Sequence, residues 1–107
     1  MNSNLSSSAS DLKIHAKQAS RLLKALANET RLLILCTLSK KELSVSDINE
    51  SINISQSALS QHLALLRNDG LVVTRRESQT IYYSISEEPV ARIIDTLHNI
   101  YCQRSID

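Results

Sequence analysis

Glycine is almost absent from this chain: Gly70 is the only one among 107 residues, with one proline, no phenylalanine and no tryptophan. A lone glycine excludes the Gly-rich phosphate loop and the dinucleotide fingerprint, which need several glycines for tight turns and close backbone approach. Aromatic residues at 3% leave no platform on which the bases of a single strand could stack. Two cysteines cannot complete a four-ligand zinc site, and the three histidines are scattered. No activated nucleophile stands out, so neither an enzyme nor a bound cofactor is expected. The longest apolar run, Leu32 to Cys36, falls far short of the roughly 18 residues that span a bilayer. Met1 to Ser10 is polar and serine-rich, unlike a secretory leader. The expectation is a cytoplasmic protein with no membrane partner, built as a flexible arm over residues 1–10 and one domain over residues 11–107.

What is present is mainly helical periodicity. Leu12, Ala16, Ala19, Leu23 and Leu26 recur on one face, predicting an amphipathic helix from Asp11 to Leu26. Asn28 suits the N-cap of a second helix, Glu29 to about Leu38, which is apolar nearly all round after Arg31 and so belongs at the centre of the core. Ser44 and Asp47 have capping-box spacing and open a short helix, Val45 to Ile52. After a tight turn at Asn53-Ile54, Ser55 caps a helix from Gln56 to about Asn68. Leu59, Leu63 and Leu66, with Ala58 and Leu65 alongside, form its buried stripe. Gly70 suits the left-handed residue that ends it.

The period then changes from helical to two. Val72 to Glu77 and Thr80 to Ser84 flank the polar Glu77-Ser78-Gln79, a hairpin signature. Pro89 begins a last helix whose stripe of Val90, Ile93, Ile94, Leu97, Ile100 and Tyr101 runs to Cys102. The element order predicts a mainly α fold with a β-hairpin wing (α+β), a winged helix-turn-helix.

A short helix, a turn and a longer helix are the parts of a unit whose second helix enters the major groove of double-stranded DNA. With the leucines inward, Gln56, Ser57, Ser60, Gln61, Ala64 and Arg67 face outward. Glutamine pairs bidentately with adenine, serine bonds a base edge or a phosphate, and the helix N-terminus offers backbone N–H groups to an anion. In the hairpin, Arg75, Arg76 and Gln79 stand to reach the sugar-phosphate backbone or the minor groove. His62, beside the leucine stripe, is either a phosphate contact or a packed, hydrogen-bonded histidine.

The run Leu26-Ala27-Asn28-Glu29-Thr30-Arg31-Leu32-Leu33-Ile34-Leu35 resembles the second-helix signature of the ArsR/SmtB family of bacterial repressors. Ser55-Gln56-Ser57-Ala58-Leu59-Ser60-Gln61-His62-Leu63, with Leu66-Arg67 and Asp69-Gly70-Leu71-Val72, resembles that family's recognition helix and its exit into the wing. The likeness runs from about Asp11 to Gln103. It implies a homodimer joined through the first and last helices, which would occupy the two apolar stripes. It also implies a palindromic operator whose half-sites lie about one helical turn apart.

Arsenic, cadmium and lead sensors of the family carry Cys-Val-Cys after Glu-Leu, where this chain has Glu42-Leu43-Ser44-Val45-Ser46. Serine is a poor ligand for soft metals. Of the zinc-type site on the last helix only Asp95 and His98 are present, spaced as a surface hydrogen-bonding pair, so no metal is expected. Cys36 and Cys102 remain. On packing grounds Cys36 is a small hydrophobe in an apolar helix. The resemblance supplies a second reading, because a cysteine on the second helix and one near the end of the last is the pattern of the family's thiol-based branch. In that branch an oxidant or reactive sulfur species links the two thiols and the protein leaves its DNA. Two rivals stay open: a metal-responsive repressor using Cys36, His98 or Cys102, and a protein-interaction adaptor that kept the fold without binding DNA.

Overall fold

Residues 9–86 and 88–106 are described by a computed structural model, residues 102–106 by their backbone alone. The order is α1 (Ala9–Leu26), α2 (Glu29–Leu38), β1 (Leu43–Ser44), α3 (Val45–Ser51), α4 (Gln56–Asn68), β2 (Val72–Glu77), β3 (Thr80–Ile85) and α5 (Glu88–Ile106). The strands form an antiparallel sheet in the order β1-β3-β2, with Leu43 opposite Tyr83 and Arg75 opposite Tyr82. This is a winged helix-turn-helix. None of the described helices is long and apolar enough to cross a membrane.

Local chemistry sets the helix ends. The Asn28 side chain accepts the Arg31 N–H at 3.0 Å and starts α2. At the end of α4, Gly70 takes φ 77°, the left-handed region in which a Cβ is strained. Its N–H donates to Arg67 O at 3.0 Å, and the Leu71 N–H reaches back to Leu66 O at 2.9 Å. That is the Schellman pair, and the apolar contact that goes with it is supplied by Leu66 and Leu71, both buried.

The core gathers around α2, which packs against α1, α3, α4, α5 and β3. Ile34 and Leu35 of α2, Ile48 of α3, Leu59 and Leu66 of α4 and Ile94 of α5 are all at 0% exposure. Yet α2 is not buried all round, since Leu33 on its outer side is 48% exposed. The first helix is barely seated at all. Every side chain from Ala9 to Arg21 is exposed, and α1 is held through half-buried Leu22 and buried Ala25 and Leu26. Leu12, Ile14 and Leu23 therefore lie open, as do Ile100 and Tyr101 on α5. The radius of gyration of 15.8 Å exceeds the ~13 Å of a compact chain of this length, as helices standing out from a body require.

The element boundaries follow the sequence expectation closely; α3 stops one residue earlier, at Ser51, and α5 runs from Glu88 to Ile106 rather than from Pro89 to Cys102. Ala9 and Ser10 are helical, so α1 begins within the expected arm; residues 1–8 lie outside the described residues. β3 runs one residue further, to Ile85, and β1 was not foreseen because two residues carry no readable period.

A Cβ at Gly70 would meet nothing within 4 Å, so only backbone strain opposes it. Gly70→Ala is expected to destabilise the fold by about 1 kcal/mol, read from urea unfolding at fixed protein concentration.

Candidate nucleic-acid interface

The helix-turn-helix is assembled from side chains that hold backbone. Ser44 Oγ accepts the Asp47 N–H at 3.2 Å, and the Asp47 carboxylate accepts the Ser44 N–H at 3.4 Å, completing the capping box of α3. The turn is clamped by Asn49, whose side-chain amide donates to Ile54 O at 2.9 Å. Ser55 Oγ then accepts the Ala58 N–H at 3.1 Å and opens α4. The N–H groups of Gln56 and Ser57, lying in the first turn, have no intrahelical acceptor.

Leu59, Leu63 and Leu66 are buried to 1% or less, which turns the opposite face of α4 outward. Gln56, Ser57, Ser60, Gln61 and Arg67 are all exposed on it. Leu65, expected beside the buried stripe, is 48% exposed instead. His62 is half-buried, and its Nδ1 is enclosed without a hydrogen-bond partner among the described residues.

The wing tip is the two-residue loop Ser78-Gln79, with Ser78 left-handed at φ 57° and Gln79 exposed. Register divides the two wing arginines between opposite faces, because neighbouring residues of a strand alternate. Val72, Thr74 and Arg76 share the face of Tyr83 and Ile85, which pack on the core. Tyr83 also lines a groove with Ser60, Ala64 and Arg67, so this face looks toward α4. Arg76, exposed near the tip, makes no ion pair among the described residues.

Arg75 is on the other face and is fully engaged. Its Nε donates to Glu42 Oε1 and Oε2 at 3.1 and 3.2 Å, Nη2 also reaches Glu42, and Nη1 donates to Glu77 Oε1 at 3.0 Å. The guanidinium lies 4.8 Å from the centre of the Tyr82 ring. The hydrogen bond from Arg75 holds the Glu42 carboxyl below its ordinary range, and the two carboxylates raise the Arg75 pKa. Two acids around one base leave this side of the wing locally negative. Glu42 and Asn49 were not singled out from sequence; Glu42 meets Arg75 across 33 positions, a separation that no local pattern reports.

Cys36 is half-buried on α2 and packs against the core. Cys102 falls on α5, but its side chain lies outside the described residues. Asp95 is exposed and His98 half-buried. No group of three or more His, Cys, Asp or Glu able to hold a metal occurs among the described residues.

Residues 28–74 match the bacterial regulatory protein family arsR. The transcriptional activator HlyU of Vibrio cholerae serotype O1 is 52% identical over 93 residues, covering 87% of this chain and 86% of the relative. The chain belongs to the ArsR family. It is a transcriptional regulator of a DNA-binding family, not an enzyme. The solved structure of reduced HlyU from Vibrio cholerae matches this ArsR-family regulator with a TM-score of 0.82 at 51% identity, covering 86% of this chain and 97% of that one. The homodimeric winged helix-turn-helix DNA-binding domain of Mb0332 from Mycobacterium bovis matches with a TM-score of 0.76 at 33% identity, covering 92% and 90%.

The Arg75–Glu42 pair gives the wing a pH dependence. Because the folded Glu42 pKa is lowered, the pair contributes fully above the ordinary glutamate range and is lost as pH falls through the lowered value. Amide protection factors in β1 and β3 should fall on acidification in the wild type and stay level in Glu42→Gln. Identical profiles in the two proteins would show that the pair does not hold the wing.

Proposed function

We propose that the regulator binds a palindromic double-stranded operator as a homodimer and releases it when Cys36 and Cys102 are modified by an oxidant or reactive sulfur species. The seating of α4 carries the DNA part: three leucines buried behind a row of exposed glutamines, serines and one arginine. In this reading Gln56, Ser57, Ser60, Gln61 and Arg67 enter the major groove, and the unpaired first-turn N–H groups of α4 meet a phosphate. Arg76 and Gln79 reach the flanking backbone or minor groove from the wing face turned toward α4. Arg75, taken up by two carboxylates, sets the angle of the wing from behind.

The bare stripes of α1 and α5 support the dimer. An amphipathic helix with Leu12 and Leu23 of its stripe open to water is expected to bury them against another surface, and the related Mb0332 domain is homodimeric. A two-fold dimer matches a palindrome and tolerates little change in the separation of its reading helices. A loss of ~4 kcal/mol of fit lowers affinity about a thousandfold.

The thiol part rests on α2 packing against α5, the helices that carry Cys36 and Cys102. A relative solved as reduced HlyU has a named redox state, which favours this effector class. Closing a disulfide removes two electrons and two protons from the thiols, which the oxidant accepts, and needs Cα atoms within about 7 Å. Inserted sulfur atoms relax that limit. A cytoplasmic, nucleoid-bound location follows from the same reading.

Fluorescence anisotropy on duplex DNA from upstream of the gene, with intact mass of each sample, tests these points. Arg76→Ala should weaken binding to all sequences and lower the salt slope by about one, whereas Gln61→Ala should reduce discrimination at one base pair by about 1–3 kcal/mol. Cys36→Ser and Cys102→Ser should each bind as tightly as reduced wild type and fail to release with polysulfide. Equal release from all three proteins would remove the cysteines from the mechanism.

A further inference from the structure

Away from the outward face of α4, a cleft of about 1040 Å³ runs between α1, the Asp69–Leu71 junction and the start of α5. Small-molecule sites commonly occupy about 300–1,000 Å³. Its floor is apolar, with Leu22, Leu71 and Val90 buried or half-buried. Its rim is cationic: Arg21, Lys24 and Arg31 face one carboxylate, Asp69, among the described residues that line it. Arg31 Nε is enclosed without a hydrogen-bond partner, and no described carboxylate pairs with that guanidinium. An enclosed guanidinium nitrogen with no acceptor is rare in folded proteins and unfavourable until something satisfies it.

The stripe assigned to the dimer and the cleft lie largely on different sides of α1. Gln18, Leu22 and Ala25 line the cleft and lie roughly 130° around the helix from Leu12, Ala16 and Leu23 at 3.6 residues per turn, while Ala19 belongs to both the stripe and the cleft. A partner docked on the stripe would border the cleft at Ala19, across from the rim formed by Arg21 and Lys24.

We infer that the cleft is an effector site for a small organic carboxylate with an apolar body. The planar Arg31 guanidinium matches a carboxylate through two parallel hydrogen bonds, Arg21 and Lys24 add positive charge, and the floor takes the hydrocarbon. The Asp69–Leu71 junction is the end of α4, so a ligand held between it and α1 couples the outward-facing helix to the helix assigned to dimerisation. That coupling rests on the DNA reading above, whereas occupancy of the cleft does not.

Calorimetric titration of sodium octanoate into the reduced full-length protein tests occupancy directly. One site per chain is expected, with a Kd on the order of 0.1 mM for a ligand of this size, and no comparable heat from inorganic phosphate. Arg31→Gln should weaken octanoate about tenfold, as loss of a charge-assisted pair implies. Lys24→Gln, on the exposed rim where folding is not at risk, should weaken it about threefold. No octanoate binding, or binding unchanged in both variants, overturns the site; phosphate binding as tight as octanoate overturns the ligand class. Saturating octanoate should also shift DNA affinity at least about threefold, and octanoate bound with DNA affinity unmoved overturns the coupling while leaving the site.

Discussion

The three leucines of α4, Leu59, Leu63 and Leu66, sit against Ile34 and Leu35 of α2 and Ile48 of α3 in one buried cluster. Everything that α4 can present to a partner depends on that seating, because a helix rotated by one residue turns its face through about 100°. A leucine cut back to alanine in such a core costs about 2–5 kcal/mol, against a total stability of roughly 5–15 kcal/mol for a domain. The helix ends then remove the remaining freedom. Ser55 fixes where α4 begins, and the Schellman turn at Gly70 fixes where the chain leaves for the wing.

Charge is arranged with the same economy. The sheet carries two neighbouring arginines, and strand alternation gives them different work: Arg75 joins β2 to Glu42, the residue before β1, while Arg76, without an ion pair among the described residues, lies on the face that looks toward α4. β1 leads directly into the capping box of α3. One guanidinium therefore links the wing to the entry of the helix-turn-helix, so the two surfaces that would flank a duplex are mechanically joined without sharing a covalent loop. The exposed position of the pair limits its energetic weight; its geometric effect comes from three hydrogen-bonding nitrogens held at once.

The parts of this structure that were legible in the sequence are those governed by short-range chemistry. Asn28, Ser44 with Asp47, Ser55 and Gly70 each act within a few residues, and each is found at the helix end that its side chain or backbone freedom favours. Periodicity also located the stripes, but it cannot say what covers them. Leu33 and Leu65 lie open, and most of the α1 stripe is exposed among the described residues. Contacts between distant positions left no pattern to read: Glu42 with Arg75, the short β1 beside β3, and the cationic rim gathered from α1 and α2. The outward residues of α4 were legible because the buried leucines define their complement. The thiol pair was legible only through family resemblance, since Cys36 by itself is a small half-buried side chain on an apolar helix.

The register of the wing stores its polarity as odd or even. Val72 is pinned in the core, and from there each step along β2 changes the side of the sheet on which a residue emerges. A gain or loss of one residue between Val72 and Arg75 would exchange the two arginines, leaving the unpaired charge pointing away from α4 and the acid-bound one toward it. A change of two residues would restore the sides and alter only reach. Length variation in this strand is therefore tolerable in pairs and disruptive singly, so the wing can drift in size across descendants of this chain far more easily than it can drift in parity.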